Sequence, residues 1–391
     1  MIIPKLALRN MLRAGVRTWL NAAVLSMAFV TIIGAQGLYE GWDTDVSRLM
    51  VETEYGGGQY WVAGFDPFDP FTLQDAHAAV PTGLAAQVEA GRAAALLYVP
   101  ATIYPGGRIR SVVLKGIDPG QKALGIPSAA LAGTGAALPA LIGSRMAKAA
   151  GLAKGDTVTA RWRDARGVYD ARDLTIVEVM QTGVQSIDEG QIWMPLETLR
   201  EMAGTPGQAT MVSLAKDVPP AGAAAGWDFM SIDVLLKDVR DLIGAKKIGG
   251  SIVYVILMFL AMLAVFDTQL LSIWRRRKEI GTMMAMGVTR QRAVALFTFE
   301  GGLNGVFAAL VAALWGIPLL SYFAKHGMTF TGEQADSFGM ALDKGLFPVY
   351  GAGLVLSTTL LVFAVTLIVS YLPARKISRL KPTDALRGRT S

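Results

Sequence analysis

Few arrangements in this sequence suit covalent chemistry. Cysteine is absent and the only histidines are His77 and His326, so there is no thiolate nucleophile, no disulfide and no thiolate metal site. The two histidines lie on different segments, which makes a metal site unexpected. Neither HExxH nor a nucleophile elbow occurs, and no stretch fits the Gly-x-x-x-x-Gly-Lys-Ser/Thr loop that cradles nucleotide phosphates. No catalytic residue and no cofactor is assigned to this chain. The residues whose types and spacing do carry a message run from Arg275 to Arg292, between two long apolar stretches. Four cations, Arg275-Arg276-Arg277-Lys278, precede Glu279, and then Ile280, Met283, Met284, Gly287 and Val288 fall on one side of a helix of period 3.6. Charge alone stops a segment from entering a membrane. An apolar stripe beside it predicts docking into a protein groove, with Arg277, Lys278, Glu279, Ile280, Gly281, Met283, Met284, Gly287 and Val288 as the contact set.

Two acids, Asp267 and Glu300, flank this segment inside apolar sequence. Asp267 lies about two turns from Arg275, and Glu300 about two turns from Arg292. A charge at a helix centre costs roughly 2.5–3.5 kcal/mol on insertion scales, so such groups pair or face protein. Two readings stay open: a buried lock to arginines of neighbouring helices, or solvation at the membrane boundary.

The elements that must hold these residues follow from composition. Hydrophobic residues make up 52% of the chain and charged ones only 17%, against about a quarter charged in soluble domains. Crossing ~30 Å of hydrocarbon takes about 20 apolar residues in a helix. Residues 18–39, 248–274, 294–324 and 345–374 meet that length. The three regions 1–17, 275–293 and 375–391 hold 16 Lys+Arg against Glu279 and Asp384, whereas 40–247 carries 19 Lys+Arg and 24 Asp+Glu. Cation-rich short segments stay in the cytoplasm. Both termini and the 275–293 segment are therefore expected inside, with 40–247 and the short loop 325–344 outside. The net charge of +6 averages these two populations and carries no nucleic-acid reading. A cleaved leader ending near Gly34-Ala35-Gln36 is the alternative for the N-terminus. Against it stand a longer apolar run than a leader needs and an amphipathic pattern over residues 5–13, expected to lie along the inner leaflet.

The segment 40–247 is long enough for a core of its own. Residues 59–63 read as a strand, 72–89 as a helix, and 94–104 with 109–116 as a hairpin about Pro105-Gly106-Gly107. Next come a helix at 141–150, strands at 156–163 and 174–182, a strand at 191–195 leading into a helix at 196–203, a strand at 211–214, a connector at 219–226 and an amphipathic helix at 231–243. The expected fold is an α-helical integral membrane protein with four transmembrane helices and an α+β extracytoplasmic domain between the first and second. Small residues Gly301, Gly305, Ala308, Ala309 and Ala312 on the third span, and Gly37 with Gly41 on the first, predict close helix packing. The aromatic, Asp-Pro-rich stretch 60–71 reads as a strand and a buried loop rather than a ligand cage.

Lys278-Glu279-Ile280-Gly281 with Ala285-Met286-Gly287-Val288-Thr289 resembles the "R-E-I-G … R-A-L-G-A" coupling segment of the FtsX-like, MacB-type permease superfamily of ABC transporters. Leu8-Arg9-Asn10-Met11-Leu12-Arg13 is similar to that family's start. Leu372-Pro373-Ala374-Arg375 through Leu386-Arg387 resembles its tail, and Glu300 falls where the family often has an acid. Val112-Val113-Leu114-Lys115-Gly116-Ile117-Asp118-Pro119 and Gly151-Leu152-Ala153-Lys154-Gly155-Asp156 look like stretches of the lipoprotein-releasing permeases LolC and LolE and of MacB. The 163–173 turn is too short to match the LolC hook.

The resemblance implies a permease subunit of the bacterial inner membrane working by mechanotransmission. ATP and Mg would be bound by a separate cytosolic ABC ATPase dimer, with a second permease, membrane lipids and a periplasmic carrier or lipoprotein substrate as further partners. Extraction of lipoproteins or another amphiphile is the leading function it implies; regulation of a cell-wall hydrolase and efflux of a peptide or drug are the alternatives.

Overall fold

The computed structural model describes residues 16–67, 69–132, 135, 138–329 and 345–379. The expected amphipathic N-terminal segment, most of the 325–344 loop and most of the C-terminal tail lie outside the described residues. In chain order the regular elements are helix α1 (Val16–Met50) with a π-helical turn (Val51–Tyr55), β1 (Gln59–Val62), α2 (Pro70–Asp75), β2 (Ala78–Ala79), α3 (Thr82–Glu89), β3 (Ala93–Ile103) and β4 (Arg110–Ile117). They continue with β5 (Pro139–Gly143), α4 (Ser144–Ala150), β6 (Thr157–Arg163), β7 (Tyr169–Met180), α5 (Gln185–Asp188), β8 (Gln191–Pro195), α6 (Leu196–Ala203), β9 (Gln208–Ala209), β10 (Met211–Leu214) and β11 (Trp227–Met230). The last are α7 (Ile232–Leu235), α8 (Lys237–Arg275), α9 (Arg277–Ala285), α10 (Arg290–His326) and α11 (Ala352–Arg375).

Contacts divide the chain into two units. One comprises residues 1–42, 242–328 and 346–391; the other comprises 43–241 and 329–345. Among the described residues, four helices are long and apolar enough to cross a membrane: Trp19–Tyr55, Lys237–Arg275, Arg290–His326 and Ala352–Arg375. This is a multi-pass membrane protein with an α/β domain between its first and second apolar helices.

Small residues on α10 let α11 approach. A methyl group at Gly301 would strike Ser370, one at Gly302 would strike Leu367, and one at Gly305 would press on Thr366. Gly316 receives Val30 of α1, while Gly37 and Gly41 of α1 receive Tyr350 and Phe347. The predicted small-residue faces thus pack within the chain. Ala22, Leu25, Phe29, Ala261, Met262, Ala308, Ala312 and Val362 form the apolar centre.

In the sheet unit nine strands follow the order β11-β1-β10-β3-β4-β8-β5-β7-β6. Pairing of β6 with β3 as well as β7 closes six of them into a ring. The pairs β4–β8 and β5–β7 are parallel and the other ladders antiparallel. Side chains alternate across a strand, and in β3 that alternation feeds two cores. Ala95, Leu97, Val99 and Ile103 enter one with Trp162, Ile192 and Leu199. Ala94, Leu96 and Tyr98 enter the other with Leu141, Trp193 and Met50.

Several local expectations change. The helix expected at 141–150 is strand β5 followed by α4, because Leu141 and Ile142 each serve a different core and so need period 2. The helix expected at 72–89 breaks at β2, where Ala78 and Ala79 pair with β9. Residues 227–230, not read as a strand, pair with β1 along the sheet edge. The loop after β1 buries Phe65 but exposes Asp66. The hairpin β3–β4, β8, α6 and β10 fall where the sequence placed them.

Candidate functional site

The segment 275–293 is two elements joined by a turn, not one helix. Helix α8 ends at Arg275, and Arg276, with φ −93° and ψ 14°, leaves helical geometry before α9 begins. Helix α9 closes in a Schellman motif: Gly287 takes φ 95°, Val288 N donates to the Met283 carbonyl at 3.0 Å and Gly287 N to that of Met284 at 3.1 Å. Gly287 has the positive φ that glycine adopts without strain. Thr289 then caps α10, its hydroxyl accepting from Arg292 N at 3.4 Å. Gly287 and Val288 are therefore turn residues and do not extend the apolar stripe along a helix.

The stripe is used inside the chain. Ile280 is fully buried and Gly281 buried; Ile280 packs with Ile273, Ala293, Phe297, Ala374 and Ile377, with Met283 and Met284 against the cluster's edge. Burying one such isoleucine contributes about 1.5–3 kcal/mol. The expectation that Ile280 and Gly281 meet a partner's groove is thus replaced by a core contact. What α9 leaves outward is Lys278, Glu279, Thr282, Ala285 and, just past its end, Met286. Met286 is 72% exposed.

Arg276 fixes the corner. Its Nε donates to Glu279 Oε2 at 2.9 Å, and one Nη1 donates to both Glu300 oxygens at 3.2 and 3.1 Å. The guanidinium also lies over the Phe297 ring, 5.1 Å from its centroid. Burial lowers the Arg276 pKa, but hydrogen bonds and charge from Glu279 and Glu300 outweigh it, so the net shift is upward. Charge-assisted bonds of this kind are roughly twice as strong as neutral ones. Of the two membrane-flanking acids, Glu300 is buried and locked to an arginine, as one of the two sequence readings required. The partner is Arg276 rather than the nearer-in-sequence Arg292. Asp267 is exposed on α8 and is not brought to the cluster.

Sequence reading missed the polar lining above this lock. Gln269, Asn304, Thr358, Thr366 and Ser370 are all buried among the four helices, and Asn21 bonds Thr268 at 2.6 Å. Glu300 with Asn304, and Thr366 with Ser370, recur at four-residue spacing inside apolar sequence. That repeat was the available signal. Among the described residues no group of acids and histidines is placed to hold a metal. His77 is bonded to Gln208 and His326 stacks on Tyr322.

Comparison with known proteins gives this arrangement relatives. Residues 251–382 match the family model of the FtsX-like permease C-terminal region. An uncharacterized ABC transporter permease of Methanocaldococcus jannaschii is 27% identical over 161 residues, covering 41% of this chain and 37% of that protein. The macrolide export ATP-binding/permease protein MacB of Burkholderia thailandensis is 28% identical over 197 residues, covering 50% of this chain and 28% of that one. The chain thus spans well under half the length of these curated relatives. Among solved structures, the extracellular domain of the ABC-type transporter YknZ from Gram-positive bacteria aligns with 44% of this chain and 99% of its own at 14% identity and a TM-score of 0.27. Residues 251–382 are thus FtsX-like permease C-terminal sequence, and the chain is similar to MacB and to an ABC transporter permease.

Proposed function

We propose that this chain is a permease subunit in which ATP-driven motion of a cytosolic ABC ATPase dimer enters through α9 and leaves through the sheet unit, which lies outside a bacterial inner membrane, with both termini in the cytoplasm. The chain itself catalyses nothing and binds no cofactor; ATP and Mg belong to the ATPase. A second permease, the same or a homologous chain, completes the complex. The carrying observation is the construction of α9. A nine-residue helix is held on one side by buried Ile280 and at its start by Arg276, while its other side is exposed. A short helix fixed at two points moves with the helices it joins, so force applied to its outer face is not lost in local bending.

The cation distribution supports the inward placement of α9. The substrate class we favour is a lipoprotein or comparable amphiphile taken from the outer leaflet. That choice rests on the likeness of residues 112–119 and 151–156 to lipoprotein-releasing permeases, and any periplasmic carrier would be a further partner.

The test is purification of the full chain in mild detergent with its bound proteins and lipids identified by mass spectrometry. An ABC ATPase is expected with the unmodified chain. The double change Lys278→Glu and Met286→Asp, on the exposed face, should abolish its recovery and leave the melting temperature unchanged. By contrast Ile280→Ala should lower the melting temperature, because it opens a cavity in the chain's own core. Normal ATPase recovery from the double variant would overturn the assigned face. Recovery of a peptidoglycan hydrolase would replace transport by regulation.

A further inference from the structure

The sheet unit holds a second buried charge pair that none of the above uses. Glu54 sits on the π-helical turn that follows α1, and Lys115 sits mid-way along β4 on the face shared by Val113 and Ile117. Lys115 Nζ meets Glu54 Oε1 at 2.5 Å, with the lysine side chain 3% and the glutamate side chain 12% exposed. Tyr98 donates its hydroxyl to the same oxygen at 3.2 Å. The ammonium lies 4.2 Å from the Tyr98 ring centroid and 5.0 Å from that of Trp193. The lysine is enclosed by an acid and two aromatic faces.

The backbone beneath Glu54 is gripped as well. Its carbonyl accepts from Gln59 Nε2 at 2.9 Å and from Ser213 Oγ at 3.2 Å. Gly56, at φ 54°, bonds back to the Val51 carbonyl at 2.8 Å, and any side chain there would collide with the Leu214 carbonyl. Gly57 N then donates to that Leu214 carbonyl at 2.9 Å.

A buried ion pair is weak evidence for stability, because desolvation offsets most of the attraction and an apolar pair of similar volume is often as stable. What an ion pair adds is a demand for one geometry. A π-turn also marks a break in the regular backbone ladder, where a helix no longer sets its own direction. We propose that Glu54 and Lys115 are a positioning clasp that fixes the direction in which the turn after α1 enters the sheet, so that residues 43–62 and β4 move as one piece. Tyr98 and Trp193 shut water out of the clasp and hold the ammonium in place. The consequence for force transmission rests on the permease reading above; the clasp itself does not.

The chain has no cysteine, which allows two labels to be placed without background. Spin labels at Arg48→Cys, exposed on α1, and Ser111→Cys, exposed on β4, report the distance distribution in the full chain in lipid nanodiscs by pulsed electron resonance. With the clasp intact a single narrow distribution is expected. In Glu54→Gln/Lys115→Met, which removes both charges together, the width should at least double while the melting temperature stays within a few degrees. An unchanged width would overturn the clasp and leave an ordinary core pair. If that double variant does not fold, Glu54→Asp, which keeps the charge but shortens the reach, is measured by the same criterion. ATPase recovery with the double variant should match that of the unmodified chain. Should the unmodified chain bring down no ATPase, the permease reading fails while the distance measurement still decides the clasp.

Discussion

Arg276–Glu300 in the helical unit and Lys115–Glu54 in the sheet unit are the same chemistry in different surroundings. Arg276 keeps 23% of its side chain exposed and divides its donors between two acids. Lys115 is enclosed, meets one acid and is faced by two aromatic rings. The flat guanidinium, with donors pointing several ways, suits a corner where two helices must be tied at once; a compact ammonium suits a closed box. Both pairs stand where a backbone ladder is interrupted, at Arg276 and at the Val51–Tyr55 turn. A regular helix holds its own direction through its hydrogen bonds. Where those bonds lapse, a side-chain pair has to supply it.

The comparison predicts unequal penalties when each cation is removed. Lys115→Ala takes away a cation that is only 3% exposed and strands the Glu54 carboxylate beside the space it leaves, and truncating one partner of such a pair costs about 3–5 kcal/mol. Thermal unfolding of the full chain in detergent, followed by tryptophan fluorescence, should show the largest drop of any single change considered. Arg276→Ala strands Glu300, which is as buried as Glu54, but takes away a cation that is 23% exposed, so the space left behind opens to solvent. Loss of hydrogen bonds to a charged group there costs about 1.5–3 kcal/mol. Equal losses in the two variants would mean that the difference in enclosure has no energetic weight.

How much of this was readable in advance depended on whether neighbours in sequence or neighbours in space decide. The four apolar helices follow from local hydropathy, and α6 and β10 from short unambiguous patterns. The stripe Ile280, Met283 and Met284 was visible as a stripe, yet its partner was not, because nothing in a 3.6 period says whether the covering surface is another protein or residues 293, 297 and 377 of the same chain. Glu300 could be marked by its position within apolar sequence, but its arginine could not. Spacing favoured Arg292, and only the corner at Arg276 turns that side chain back. Lys115 lies within a motif, whereas Glu54 gives no signal in the sequence: a lone glutamate after a span looks solvated until the π-turn carries it beneath β4. Residues 141 and 142 misled for a similar reason, since two cores claiming alternate side chains leave an apolar run with no helix-versus-strand signature.

The smallest effect expected is a pH dependence belonging to the sheet unit. Burial raises the pKa of Tyr98 and of Tyr55, and the nearby Glu54 charge raises both further. For Lys115, burial lowers the pKa and Glu54 only partly restores it. A tyrosine whose folded pKa is raised protects the fold below the unfolded value, about 10, and that protection is lost as pH climbs beyond it, because only the unfolded chain releases the proton. Lys115 acts in the opposite sense: as pH rises towards 10.5 the unfolded lysine loses its proton, and the penalty of having buried a charge disappears. Above pH 10 the unfolded tyrosines release protons that the folded ones keep, so stability should fall as pH rises, and more steeply once the unfolded lysine has titrated as well. Melting temperatures between pH 8 and 11 measure this directly. Glu54→Gln removes the charge that lifts both tyrosines and should flatten the alkaline limb without abolishing it, since burial, the larger cause, remains. A curve as steep in that variant as in the unmodified chain would mean that burial alone, without Glu54, sets the behaviour of both phenols.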